Sequence, residues 1–260
     1  AITNMGLSSS VEAWWVEPAI ASLCFGVWTH FFRAAEGRYL SLWSSVSKPP
    51  HLMLALAAYW VGIIAWIYLV PPPPRIPHGR PSDLLGAAYL LAELVAGVVL
   101  YDFLFFWIHL AMHTMPRTVG RWTNHARHHE LDGSPGGILR HESWETCGRV
   151  VHHSITDGML QVIVNILSQR YTPWGAVKSR LARWLHNAVV TFLLTEAHTS
   201  AASPRVGRRV FVGVRDHHLH HKTRGVPYQQ FFSYLDRGWI MYQARRELRA
   251  KDTRIARKAG

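Results

Sequence analysis

Apolar residues in this chain gather into long uncharged runs, not into the short alternating segments of a sheet protein. Leu52 to Val70 contains no charged side chain and stops at Pro71–Pro74. At about 1.5 Å per helical residue it is long enough to cross a hydrocarbon core of roughly 30 Å, so it predicts a membrane helix. Leu84 to Met112 carries only Glu93 and Asp102 as charges and predicts a helix that spans and then projects beyond the bilayer. Pro18 to Phe32 is shorter; it either spans with Trp14 and Trp15 or lies in the interface. Gly158–Leu167 and Ala188–Ala197 are each too short for a comfortable crossing, and Lys178, Arg180 and Arg183 stand between them. They predict a hairpin dipping into the membrane, or two tilted spans. The expected fold is all-α: an integral membrane helical bundle of about four membrane helices or hairpins, capped by a cytoplasmic helical histidine-rich domain.

Charge orients the runs. Before Pro18 the chain has Glu12 and Glu17 but no Lys or Arg, whereas Arg33, Arg38 and Lys48 follow the first run and Arg117, Arg121 and Arg127 follow His113. Basic flanks favour the cytoplasmic side, which puts Pro71–Asp83 opposite despite Arg75 and Arg80. The net charge of +12 arises in a chain with only 17% charged and 49% hydrophobic residues, and no nucleic-acid motif accompanies it. It therefore suits a membrane-facing cytoplasmic surface. Cys24 and Cys147 form no CxxC and suggest a reducing compartment. The first residues lack the basic n-region of a signal peptide, so processing there is not expected. Three regions are expected: membrane helices over 1–100, a catalytic region over 101–241, and a basic cytoplasmic tail over 242–260. The location implied is the endoplasmic reticulum membrane of a eukaryote or the inner membrane of a bacterium, with the active site in the cytoplasm.

Histidine supplies the candidate chemistry. Of 17 histidines, eight fall into three clusters: His109 and His113; His125, His128 and His129; and His217, His220 and His221. Residues three and four apart share one helix face, so HxxxH and HxxHH each converge imidazoles on a point. Neutral imidazole without nearby thiolate suits iron, zinc, copper or nickel and not calcium or magnesium. Eight ligands exceed what one zinc needs, and two metals are the natural count. A zinc transporter would need ligands near the bilayer midplane on several helices, and a zinc hydrolase would show HExxH, which is absent. Asp102 lies seven residues before His109 on the same predicted face, placed to accept an imidazole N–H. His141, His152 and His153, with Glu130, Glu145 and Glu196, are left as lesser candidates, and His30, His51, His78 and His186 are read as structural.

From Tyr101 to Ile240 the order of motifs resembles the fatty acid hydroxylase superfamily, which includes sterol desaturases, sterol methyl oxidases and cholesterol 25-hydroxylase. Asp102, Trp107, His109 and His113 resemble the first box with its upstream acid, and Asn124–His129 resembles the second. Glu196-Ala197-His198, with Pro204 beyond, is similar to the family's additional histidine segment after the hairpin. His217–His221 resembles the last box, and Phe231, Phe232, Asp236 and Arg237 the segment that follows it. Departures are Leu110 where Arg is frequent, His218 where Asp is frequent, Val226–Gln229 in place of Asn-Tyr-Gly, Leu235 for Trp, and no Gly-Thr ending. The resemblance implies two irons, replaceable by zinc, held by the eight clustered histidines and His198. It also implies hydroxylation or desaturation by O2 of a lipophilic substrate such as a lipid, sterol, terpenoid or polyketide. No dinucleotide fingerprint or haem motif is visible, so NADPH would act through a reductase and a carrier such as cytochrome b5 or a ferredoxin. The basic cytoplasmic surface suits an acidic carrier.

Overall fold

The computed structural model describes residues 16–35, 60–62, 64, 84–126, 129, 154–170, 178–198 and 210–259. Among them the fold is all-α. The helices are α1 (Val16–Ala35), α2 (Leu84–Thr114), α3 (Ile155–Arg170), α4 (Arg180–Ala197), α5 (Val214–Thr223) and α6 (Tyr234–Ala259). The one β feature among the described residues is an isolated antiparallel bridge between Phe211 and Phe232.

Helix α2 organises the rest. Its 31 residues give a length of about 46 Å. It is the one helix among the described residues long and apolar enough to cross a membrane. Its outer face is as apolar as its inner one, and the inner one also carries three polar groups. Glu93, Gly97, Tyr101, Asp102, Phe105, Phe106 and His109 form a buried stripe at three- and four-residue spacing. Leu84, Leu85, Leu91, Val95, Phe103 and Trp107 are exposed. The other runs differ from α2. Most of Leu52–Val70 lies outside the described residues. The apolar part of α1, Ala19–Phe32, is shorter than a span, and neither α3 nor α4 meets the length and apolarity of one.

The two predicted short apolar segments extend into the longer helices α3 and α4, which pack on one another and on α2. Helix α4 also lies along α1, where Trp28 Nε1 donates to the Ala188 carbonyl at 2.9 Å and the Trp28 and Phe192 rings meet edge to face at 5.0 Å. Val98, Tyr101, Phe105, Val164, Val190, Leu194 and Phe231 form the main apolar core. Tyr101 stacks on Phe231 at 5.4 Å, joining α2 to the segment before α6.

Beside this core runs a polar seam. Asn165 Nδ2 and Gln169 Nε2 both donate to Asn187 Oδ1, and His186 Nε2 meets Asn165 Oδ1 at 3.1 Å, which gives His186 the structural role expected of it. Ser179 caps α4 by accepting from Ala182 N, and its hydroxyl donates to Glu93 Oε2 at 2.9 Å. Buried amides and carboxylates are costly unless paired, so these cross-links fix the register of three helices. Gly97 leaves the room: a Cβ there would lie 2.1 Å from Lys178 Nζ and 2.7 Å from His186 Nδ1. Gly97→Val is expected to destabilise the protein by about 1–3 kcal/mol through overpacking. A lowered thermal midpoint in detergent, with Gly26→Val, where a Cβ meets nothing within 4 Å, as control, is the check.

Candidate metal centre

The histidines are delivered by helix ends. His109 and His113 occupy the last two turns of α2. The chain then tightens into a π-turn at Pro116–Gly120 and a single helical turn at Arg121–Thr123. Gly120 sits against the α2 terminus, where a Cβ would approach the Met112 carbonyl to 2.6 Å, so a side chain is excluded. Asn124 adopts a left-handed conformation (φ 50°), which asparagine tolerates well, and turns the chain back to present His125 and His129. The start of α3 is fastened below this loop, with Thr156 Oγ1 donating to the Trp122 carbonyl at 2.9 Å. His198 stands at the end of α4 and α5 carries His217, His220 and His221. Helix α5 begins where the Gly213 N–H donates to Asp216 Oδ2 at 3.1 Å.

Eight of the nine expected ligands come together in two groups. His109, His113, His125, His129 and His220 form one, and His198, His217 and His221 the other; within each group the ligand nitrogens lie within 4.8 Å of one another. His128 falls outside the described residues, as do His141, His152 and His153. The groups adjoin: the His129 and His221 rings are 4.6 Å apart. The last HxxHH motif divides between them. On α5, residues 217 and 221 share a face while 220 lies roughly 60° round, so this helix feeds both groups.

The backs of the rings fix what the fronts present. His109 Nδ1 pairs with the Tyr228 carbonyl at 2.8 Å, His125 Nδ1 with Asp157 Oδ2 at 2.8 Å, and His198 Nδ1 with the Leu194 carbonyl at 2.8 Å. His129 Nδ1 pairs with the His221 carbonyl at 3.5 Å, and His220 Nδ1 with the Gly225 carbonyl. All five partners are acceptors, so Nδ1 of each of these rings donates and Nε2 is the nitrogen turned towards the neighbouring histidines. Nε2 atoms of neighbouring rings meet at hydrogen-bond distance. Nε2 atoms of His109 and His113 are 3.2 Å apart, of His125 and His129 3.1 Å, of His198 and His217 3.1 Å, and of His217 and His221 3.0 Å. His220 Nε2 is buried with no hydrogen-bond partner among the described residues.

Such an arrangement fits a cation. Two nitrogens each about 2.1 Å from one ion at angles near 90–109° lie roughly 3.0–3.4 Å apart, the spacing found here. Protonating the rings would remove their donor nitrogens, and burial opposes it. Burial first, and the neighbouring His220, His125 and His113 next, push His129 down to about 2. Burial likewise holds His220 at about 4, against the raising effect of the Gly225 carbonyl. Burial thus keeps His129 and His220 neutral, and both histidine groups could hold a metal ion.

Asp102 departs from expectation. Its oxygens accept the backbone N–H groups of Gln230 and Phe231 at 2.8 Å and Phe232 at 3.2 Å, with Gln229 Nε2 at 2.6 Å. It touches no imidazole; it holds the strap that carries the Tyr228 carbonyl, and that carbonyl orients His109. Asp236 grips the same strap through the Tyr228 and Gln229 N–H groups at 2.7 and 3.0 Å. Gln229 closes the knot, with Oε1 accepting from Leu235 N at 2.6 Å. The Tyr228 ring covers the five-histidine group, its centroid 5.9, 5.5 and 5.8 Å from those of His109, His113 and His220. The carboxylate that does touch a ligand is Asp157, which the spacing of the boxes does not reveal. Its one sequence signal is an acid at the mouth of an apolar run.

No known protein family, curated protein or solved structure matches this chain.

Asp157→Asn is expected to weaken metal retention about 10–100-fold, because His125 loses a charged anchor; competition titration against a chelator measures it. The metal-free protein should lose stability as pH falls from 6.5 towards 4. The unfolded chain takes up protons near 6.5 that buried His129 and His220 refuse, at a cost of up to ~1.4 kcal/mol per pH unit per histidine. A thermal midpoint that stays flat across that range would contradict the neutral state assigned to these rings.

Proposed function

We propose that this chain is a membrane-bound non-haem di-iron oxygenase that hydroxylates or desaturates an unactivated C–H bond of a lipophilic substrate. The observation that carries the reading is the pair of adjoining, largely buried histidine groups whose ligand nitrogens converge at the end of α2. The ordered histidine boxes, which resemble those of the fatty acid hydroxylase superfamily, support it, and so does a ligand set rich in nitrogen with no thiolate. When bound, two irons would supply O2 activation and hydrogen removal from carbon, with zinc as a replacement ion.

The chain's own residues do the rest. His109, His113, His125, His129 and His220 would hold one ion, and His198, the ninth ligand of the resemblance, would hold the other with His217 and His221; His128 is the remaining ligand that the resemblance implies. The tautomer locks at Tyr228, Asp157, Leu194 and Gly225 present the lone pairs without reorganisation. Phe106, Leu110 and Tyr228, packed with Leu235 and Trp239, give the five-histidine group an apolar cover that excludes water.

The outward apolar face of α2 supports a membrane location, with α2, the Leu52–Val70 run, α1 and the α3–α4 hairpin making up about four membrane elements. A substrate dissolved in the bilayer would reach the histidines from the α2 end without crossing water. Electrons would come from NADPH through a reductase and a cytochrome b5 or ferredoxin. Transport of zinc is less well supported, because both histidine groups gather at one end of α2 instead of lining a path along it.

The deciding experiment is iron analysis of the purified protein together with O2-dependent formation of an oxidised product from lipid, sterol and terpenoid fractions. His113→Ala and His217→Ala, one from each group, should each lower bound iron by roughly half and abolish product. Iron-loaded protein that oxidises none of these fractions, given an electron source, overturns the proposal.

A further inference from the structure

The last helix has a face that the site does not use. Leu235 and Trp239, in the first turns of α6, pack against Phe106 and Leu110 near the end of α2, and Asp236 ties the same turns to the strap. Beyond Trp239 every described side chain, from Ile240 to Ile255, is exposed. That stretch is not uniformly polar. At about 100° per residue, Ile240, Met241, Ala244, Leu248 and Ile255 fall within one arc of roughly 100° on the side away from the Leu235–Trp239 anchor. The four large ones are 48%, 57%, 59% and 66% exposed. Lys251 lies inside the arc, and Arg245 and Arg254 border it on either side. With Arg246 and Arg249 they set five cations against Glu247 and Asp252 in the same stretch.

We propose that this length of α6 lies on the surface of an anionic bilayer, its aliphatic stripe in the acyl boundary and its Lys and Arg side chains on lipid phosphates. A narrow apolar stripe flanked by long cationic side chains, whose heads reach outward while their stems stay apolar, is the pattern of an interfacial helix. Position favours the same surface. Helix α6 is rooted at the end of α2, which brings its exposed turns to that end of the long apolar helix. A second copy of the chain is a poor occupant: pairing along Met241, Leu248 and Ile255 would put Lys251 on the seam and bring like charges together. An acidic soluble protein would satisfy the cations and leave the aliphatic stripe unused.

The inference rests on α2 spanning the membrane, and one experiment separates the two. The full chain with Cys24→Ser and Cys147→Ser is given a single cysteine at Leu248 or Val95. It is labelled with an environment-sensitive fluorophore and reconstituted into vesicles of phosphatidylcholine alone or with roughly a third phosphatidylglycerol. Quenching by nitroxide lipids should be several-fold stronger at Leu248 in the anionic vesicles. It should fall back at high salt and in the combined Arg245→Gln, Arg249→Gln, Lys251→Gln, Arg254→Gln variant. The label at Val95 should be quenched in both vesicle types, and its failure alone would remove the span reading. Equal water exposure at Leu248 in both vesicles overturns the proposal. So does burial of that label only when an acidic soluble protein is added, or only when the density of chains in the vesicle is raised.

Discussion

Everything near the histidines depends on where their protons are kept. An imidazole can offer a metal one lone pair only if the other nitrogen holds its hydrogen, and that hydrogen is secured by an acceptor behind the ring. Here the acceptors come from distant places: a strap carbonyl for His109, an α3 carboxylate for His125, the preceding turn of α4 for His198, and the loop after α5 for His220. Each helix therefore contributes either a ligand or the group that aims one. The packing of α2, α3, α4 and the Tyr228–Phe232 strap is in this sense the second half of the metal site.

The same economy applies to α2. Glu93, Asp102 and His109 stand on its buried face while leucines stand outside, and a buried polar group is tolerated only where it finds a partner. Glu93 finds Ser179 and Asp102 finds four N–H donors on the strap. The polar residues in the apolar run are thus fasteners between helices, and they settle which face of α2 meets the site.

Much of this was legible in the sequence because the signals are local. HxxxH and HxxHH are statements about one helix face, and the Leu84–Met112 run is a statement about one helix length. What was not legible depends on chain segments far apart. Asp102 shares a face with His109 in α2, yet its oxygens are taken by three backbone N–H groups and the Gln229 amide, more than 125 residues away, which periodicity cannot foresee. Asp157 reaches His125 across 32 residues, through a connection whose path no local pattern specifies. Gln229 stands in a segment that looked like mere departure from a family motif, and it is the residue that joins Asp102 to the start of α6. The split of the last box between two groups was equally hidden, since three histidines on one short helix read naturally as ligands to one ion.

That split gives α5 a role distinct from that of a ligand carrier. A helix of ten residues moves as a rod, and its His217 and His221 belong to one group while His220 belongs to the other. A shift of the rod that improved the aim of His217 and His221 would move His220 as well, so the donors offered by the two groups are set together. The two groups are joined through this one lever, and any change in the seating of α5 reaches both.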